Sequence, residues 1–141
     1  MNTYKGNIEP SASTVFVFGS NPEGRHGAGS ARVAVEHFGA IYGRGRGMQG
    51  NAYALVTTEL RPNMPRITLA QITDNVKELY GVAKENPTKN FMVAYRSLEN
   101  ERTLCGYSGG ELVQCFLNAG EIPENVWFSE EWTEIINRKQ K

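Results

Sequence analysis

Short apolar runs and longer amphipathic stretches alternate along this chain. The runs are rich in β-branched and aromatic residues and are bounded by turn-forming residues, which is typical of strands buried on both faces. The pattern predicts strands at residues 14–18, 52–57, 90–95 and 125–128.

Between these runs, apolar residues recur at helical spacing. The clearest helix spans 69–85, where Thr68 is placed to cap the first turn and Gln71, three residues later, completes a capping-box pattern. Further helices are predicted at residues 29–38, at 110–118 and, as a short C-terminal element, after Ser129.

The alternation of strands and helices predicts a mostly parallel sheet covered by helices on both faces, which is a three-layer α/β/α sandwich. We find no linker, repeat or low-complexity segment. A length of 141 residues suits one folding unit, so we expect a single domain over 1–141.

Composition narrows the function classes. Equal numbers of acidic and basic residues, 15 of each, leave no net charge to attract nucleic acid or an anionic membrane. The N-terminal segment lacks the apolar core of a signal peptide, and no run approaches membrane-spanning length. Two cysteines, Cys105 and Cys115, are too few for a disulfide framework, which favours reduced thiols in a cytoplasmic protein. No cluster has the spacing of metal ligands, and no cofactor is predicted.

The most specific motif follows the first predicted strand. The run stops at Gly19-Ser20-Asn21, and a glycine-rich loop then opens into a helix. Such a loop lets the backbone approach an anion, and the helix N-terminus offers unpaired N–H groups. The motif therefore predicts a site for a phosphate-bearing small molecule. Its glycine spacing fits neither the dinucleotide fingerprint nor the Walker loop. The candidate ligand-binding residues are Gly19, Ser20, Asn21, Gly24, Arg25, His26, Gly27, Ala28 and Gly29.

A second glycine-bearing stretch, 103–110, follows the third predicted strand and adds Gly106 and Tyr107 to the candidates. In a parallel sheet both loops lie at the carboxyl edge, where ligands bind. Two helix N-termini meeting there can grip a diphosphate, or one phosphate plus a ribose. Tyr107 either covers the ligand or packs on the core.

A glycine-arginine segment, 43–50, precedes the second predicted strand and contains Arg44 and Arg46. Three interpretations stay open: the arginines pair with a phosphate, they lie in a solvated loop, or the segment binds RNA. Neutral net charge counts against the last.

Two side chains in the first loop have the chemistry for more than binding. Asn21 can donate to and accept from a sugar hydroxyl, although asparagine also serves as a turn residue. His26 can transfer protons at neutral pH, as imidazole does in many enzymes. The second histidine, His37, is expected on a helix surface.

The first loop resembles that of macro domains, which bind ADP-ribose and its derivatives on a parallel-rich α/β/α sandwich. The matching residues are Asn21 and the run His26-Gly27-Ala28-Gly29-Ser30-Ala31. Gly6-Asn7-Ile8 occupies the place where macro domains often carry Gly-Asp-Ile, whose acid contacts the adenine amino group. Gly106-Tyr107 is similar in place to the second phosphate loop. Phe18 replaces one asparagine of the family's double-asparagine element.

The resemblance implies a pocket for an ADP-ribose-type nucleotide or a related phosphorylated metabolite, with Asn7 at the base. One alternative is an ADP-ribosyl or nucleotide hydrolase that uses Asn21 to orient water and His26 to transfer a proton. A second is a non-enzymatic module that binds protein or RNA. The chain is also similar to small bacterial and phage proteins that share the FGSN and GxHGAG signature. Oligomeric state stays open.

Overall fold

The computed structural model describes residues 1–140. Six strands form one sheet in the order β1-β6-β5-β2-β4-β3, and every neighbouring pair is parallel except β3 with β4. The strands are β1 Asn2–Tyr4, β2 Thr14–Ser20, β3 Gly47–Gln49, β4 Ala52–Val56, β5 Asn90–Val93 and β6 Val126–Ser129. The helices are α1 Gly29–His37, α2 Leu69–Glu85, α3 Gly109–Asn118 and α4 Glu130–Lys139.

Helices cover both faces of the sheet. Phe16 and Phe18 of β2 pack with α1 on one face, while Val15 and Val17 pack with α2, α3 and α4 on the other. All four side chains are buried, which explains why β2 is apolar without alternation. The predicted three-layer α/β/α sandwich with a mostly parallel sheet is confirmed.

Two strands are absent from the sequence prediction. β1 and β3 have three residues each and occupy the two edges of the sheet. Such short runs carry too little periodicity to be recognised. β3 makes the sheet of residues 1–140 mostly and not wholly parallel, because Gly47–Gln49 of the glycine-arginine segment pairs antiparallel with β4.

The predicted capping box of α2 is confirmed. The Gln71 backbone N–H donates to Thr68 Oγ1 at 3.1 Å, and the Thr68 backbone N–H donates to Gln71 Oε1 at 2.8 Å. No helix among residues 1–140 is both long and apolar enough to cross a membrane.

We expect Thr68→Ala to lower the free energy of unfolding by about 1 kcal/mol, because it leaves one helix N–H without an acceptor. Urea denaturation measures the change. The exposed Thr88, in a turn and without a side-chain hydrogen bond, provides the matched control Thr88→Ala. Equal losses in the two variants would contradict the capping role.

Candidate functional site

A cleft of about 630 Å³ lies at the carboxyl edge of the sheet, between the start of α1 and the loop that follows β5. The end of β2 contributes Gly19 and Ser20 to its wall, and α1 contributes Ser30 and Ala31. The two sides nearly touch at the rim, since a Cβ atom on Gly29 would lie 3.9 Å from Leu104 Cδ1. The two predicted loops therefore border one cavity.

Some of the predicted residues line the cleft, and others do not. Those that line it are Gly19, Ser20, Asn21, Arg25 and Ala28. Asn7 lines a smaller adjoining cavity. The remaining candidates, which lie outside the lining of both cavities, are Gly24, His26, Gly27, Gly29, Gly106 and Tyr107.

The N-terminus of α1 is open toward the cleft. Its N-cap residue, Ala28, has extended backbone (φ −150°, ψ 161°) and no side chain able to accept a hydrogen bond. Among residues 1–140, the backbone N–H groups of Gly29, Ser30 and Ala31 have no acceptor. These groups carry the partial positive charge of the helix end, so they can bind an anion.

The N-terminus of α3, in contrast, is fully occupied. Ser108 caps it and accepts from the Glu111 N–H at 3.1 Å. The N–H groups of Gly109 and Gly110 donate to the carbonyls of Glu101 and Glu99, each at 3.0 Å. This corrects the expectation that two helix N-termini grip the ligand: of the α1 and α3 termini, that of α1 alone has backbone donors without an acceptor in residues 1–140.

Among residues 1–140, every charged residue on the cleft lining is an arginine: Arg25, Arg96 and Arg102 line it, and no aspartate or glutamate does. Arg102 Nη1 donates to the Gly106 carbonyl at 2.6 Å, and Arg96 Nη2 donates to the Gly6 carbonyl. These acceptors are neutral, so they orient the guanidinium groups without cancelling their charge. Within residues 1–140, Arg25 is the one of these three arginines that forms an ion pair, with Glu23 at 3.7 Å.

Arginines away from the cleft are mostly neutralised. Arg32, Arg46, Arg61 and Arg138 each form an ion pair with a glutamate. The contrast makes the cleft a local positive site on a chain with no net charge.

Asn21 closes the first loop on itself. Its Oδ1 accepts from the Arg25 backbone N–H at 2.9 Å, and its Nδ2 donates to the Arg25 carbonyl at 3.2 Å. The side chain is nearly buried, with 6 % exposed, although it lines the cleft. The turn role considered for Asn21 is therefore present, while contact with a ligand stays a prediction.

His26 lies behind the loop rather than in the cleft. Its ring is 2 % exposed and packs edge-on against Phe18, with centroids 5.0 Å apart. Nε2 lies 2.8 Å from the Arg44 carbonyl and donates to it, whereas Nδ1 is buried without a partner among residues 1–140. These contacts tie the first loop to the glycine-arginine segment; proton transfer by His26 stays a prediction.

The glycine-arginine segment supports the first loop from behind. The Gly43 N–H donates to the Gly24 carbonyl at 2.8 Å, and the Ser20 hydroxyl donates to the Gly45 carbonyl at 2.8 Å. Gly24 has a positive φ of 67°, and a Cβ atom there would overlap the backbone of residues 43–44. Glycine is thus required on both sides because two backbones pack in direct contact.

The two arginines of this segment do not line the cleft. Arg46 instead binds α2, through Glu78 at 2.6 Å and Asn75 at 3.1 Å, and Arg44 is exposed. Of the interpretations left open, pairing of these arginines with a phosphate in this cleft is wrong, because they lie on the far side of the loop.

Tyr107 packs on the core rather than over the cleft. Its hydroxyl donates to the Ile67 carbonyl at 2.7 Å, and the Arg66 guanidinium lies 3.8 Å from its ring centroid. Both hydroxyl and ring are thereby engaged by the loop that precedes α2.

Tyr95 forms the floor of the cleft and was missed by the sequence reasoning. Its hydroxyl lies 2.8 Å from Thr57 Oγ1, and its ring stacks on Trp132 with centroids 6.0 Å apart. Burial raises the pKa of Tyr95, which keeps the phenol protonated. Gly19 leaves room for it, since a Cβ atom there would overlap the hydroxyl.

A smaller cavity of about 370 Å³ adjoins the cleft. Ile8, Phe16 and Val33 form apolar walls, and Asn7 places an amide at the lining. Ser30, Ala94 and Arg96 line both cavities and form their junction. Arg96 and Arg102 were also missed, although Arg96 directly follows the predicted strand 90–95, the position that singled out Asn21 after the first strand.

No protein-family model matches the chain, and no curated protein matches it either. Among solved structures, it is similar to an alphavirus P23pro-zbd chain, with a TM-score of 0.63 and 15% sequence identity. The match covers 99% of this chain and 23% of that one, so the chain spans about a quarter of its structural neighbour. At this identity the likeness shows a shared fold alone. Membership of the macro-domain family stays a prediction.

Proposed function

We propose that this chain binds an ADP-ribose-type nucleotide, with the diphosphate at the N-terminus of α1 and the base in the smaller cavity. The observation that carries the proposal is the charge of the cleft. Three arginines and an uncapped helix N-terminus line it, and none of the 15 aspartate and glutamate residues, all of which lie in the described part of the chain, does. Such a site favours an anion and gains most from phosphates, which accept several hydrogen bonds.

The geometry of the arginines supports binding without large rearrangement. Arg96 and Arg102 are held by backbone carbonyls, so their side chains are already ordered before a ligand arrives. Ordering a long side chain costs conformational entropy, and a site that has met this cost in advance binds more tightly.

The smaller cavity suits a planar apolar group bound next to the phosphates. Its walls of Ile8, Phe16 and Val33 suit the faces of a nucleobase. The Asn7 amide can accept from an amino group at the base edge, as the macro-domain resemblance implies for this position.

The lining of the cleft supports binding in preference to hydrolysis. Neither a carboxylate nor an imidazole of residues 1–140 lines it, and these are the groups that most often transfer protons in hydrolytic enzymes. No observation on the structure favours the protein- or RNA-binding alternative.

Isothermal titration with ADP-ribose tests the proposal. We expect saturable binding that weakens as salt is raised, because the contacts are ionic. Adenosine, which lacks the phosphates, is expected to bind at least roughly 10-fold more weakly, since each charge-assisted hydrogen bond contributes about 1.5–3 kcal/mol. Chromatography of the ligand after incubation should return ADP-ribose unchanged. Absence of heat at high micromolar protein would overturn the proposal.

A further inference from the structure

We propose that the bound nucleotide carries an additional phosphate monoester on the ribose next to its base, and that Arg96 and Ser30 recognise it. This inference rests on the proposed function and adds a ligand class to it. Its basis is the junction between the two cavities, where Arg96, Ser30 and Ala94 belong to the lining of both.

The junction is where that ribose must lie. In an ADP-ribose-type nucleotide the ribose joins the base to the diphosphate. With the base in the smaller cavity and the diphosphate at the start of α1, this sugar passes the three shared residues. Its hydroxyl oxygens therefore come next to a guanidinium and a serine hydroxyl.

Arg96 is fixed in place but not neutralised. One of its five N–H donors reaches the Gly6 carbonyl, and the guanidinium lies 5.5 Å from the Tyr4 ring centroid. Tyr4 is itself anchored, because its hydroxyl donates to the Val93 carbonyl at 2.6 Å. Within residues 1–140, no carboxylate forms an ion pair with Arg96, so donors and charge remain for a ligand.

Ser30 adds a second free group at the same place. It lies in the exposed first turn of α1, and neither its hydroxyl nor its backbone N–H has a partner among the described residues. A guanidinium fork together with a hydroxyl donor matches the oxygens of a phosphate monoester.

The charge of the junction distinguishes a phosphate from a free hydroxyl. Sites that select a free ribose hydroxyl commonly place a carboxylate there, whereas an arginine accommodates a ribose phosphate. In the described part of the chain, neither cavity has an acidic residue in its lining, and the smaller one adds the exposed His37. A neutral sugar would leave the Arg96 charge uncompensated; a phosphate would compensate it.

The test compares ADP-ribose with 2′-phospho-ADP-ribose by calorimetry. We expect the phosphorylated ligand to bind about 10-fold more tightly, the effect of one strong charge-assisted contact. Arg96→Gln should remove this preference, and Arg96→Lys should keep part of it, because the charge stays while the fork is lost. The matched control, Arg102→Gln, should weaken both ligands and preserve their ratio. Titrations with 2′,5′-ADP and 3′,5′-ADP identify which hydroxyl carries the phosphate.

The outcomes separate this inference from the proposed function. Equal affinities of wild type for the two ADP-ribose ligands, together with equal affinities for 2′,5′-ADP and 3′,5′-ADP, would overturn the inference while leaving nucleotide binding established. A preference that persists in Arg96→Gln, in a variant with a native circular dichroism spectrum, would overturn the role of Arg96. If wild type binds none of the nucleotides, both proposals fail.

Discussion

Replacing Ala28 with aspartate is expected to stabilise the fold and to weaken ADP-ribose binding. The extended backbone of Ala28 already has the geometry of an N-cap. An aspartate side chain there can accept from the free N–H groups of the first turn, which should raise the free energy of unfolding by about 1 kcal/mol. The same carboxylate occupies the anion site and repels phosphates, so we expect affinity to fall by roughly 30-fold or more, equivalent to about 2 kcal/mol.

Urea denaturation and calorimetry measure the two effects on the same protein. Ala28→Asn provides the control, because asparagine caps the helix without a charge. It should stabilise the chain about as much as aspartate does and weaken binding less. An aspartate variant that is stabilised and yet binds ADP-ribose as wild type does would exclude the α1 N-terminus as the phosphate site.

Gly45→Ala is expected to destabilise the chain by about 3 kcal/mol, the upper part of the range for overpacking a buried position. A Cβ atom on Gly45 would overlap the carbonyl oxygen of Asn21 and lie 2.8 Å from that of Pro22. Both neighbours are backbone, so no rotation of a side chain can relieve the clash. Urea denaturation measures the loss.

The first loop provides the matched control for this change. Gly27 also has a negative φ, and a Cβ atom there would meet nothing within 4 Å. Gly27→Ala should therefore leave the free energy of unfolding nearly unchanged. If both variants were equally stable, close contact between the two glycine segments could not be what requires glycine at position 45.

The Gly45 variant also connects packing to the cleft. The Gly45 carbonyl accepts from Ser20, and the neighbouring Arg44 carbonyl accepts from His26. A displaced segment 43–45 would carry the loop 20–26 with it, and this loop presents Asn21 and Arg25 to the cleft. We therefore expect the folded fraction of this variant to bind nucleotide more weakly as well.

Features that depend on neighbouring residues were predictable from the sequence. The spacing of apolar residues predicted the correct bounds of α2, 69–85. Thr68 together with Gln71 predicted the capping box at its N-terminus. The four longer strands were found because each is a short run rich in apolar residues; β2 and β4 are buried along nearly their whole length, and β5 and β6 keep at least one face buried. The loop from Gly19 to Gly29 was predicted because its strand, turn and helix follow one another directly along the chain.

The occupancy of the two helix ends shows where such reasoning stops. Both α1 and α3 follow glycine-bearing loops, and the N-termini of both were expected to offer N–H groups to the ligand. Only the folded chain shows that the carbonyls of Glu99 and Glu101 accept from the first N–H groups of α3. Within residues 1–140, no acceptor meets the first three N–H groups of α1. A saturated and an open helix end look alike in sequence, because the acceptors are backbone atoms that every residue has.

The sequence by itself determined the layers of this protein, the order of its main strands and helices, and the loop that forms one wall of the site. Apolar periodicity and helix capping depend on residues close together along the chain, so they can be recognised from the sequence. The tertiary structure decided which charges face the cleft, which glycines contact each other, and that His26, Arg44 and Arg46 lie behind the loop. These features depend on contacts between segments distant along the chain, such as Arg96 with Gly6 and Ser20 with Gly45, and no local pattern encodes them.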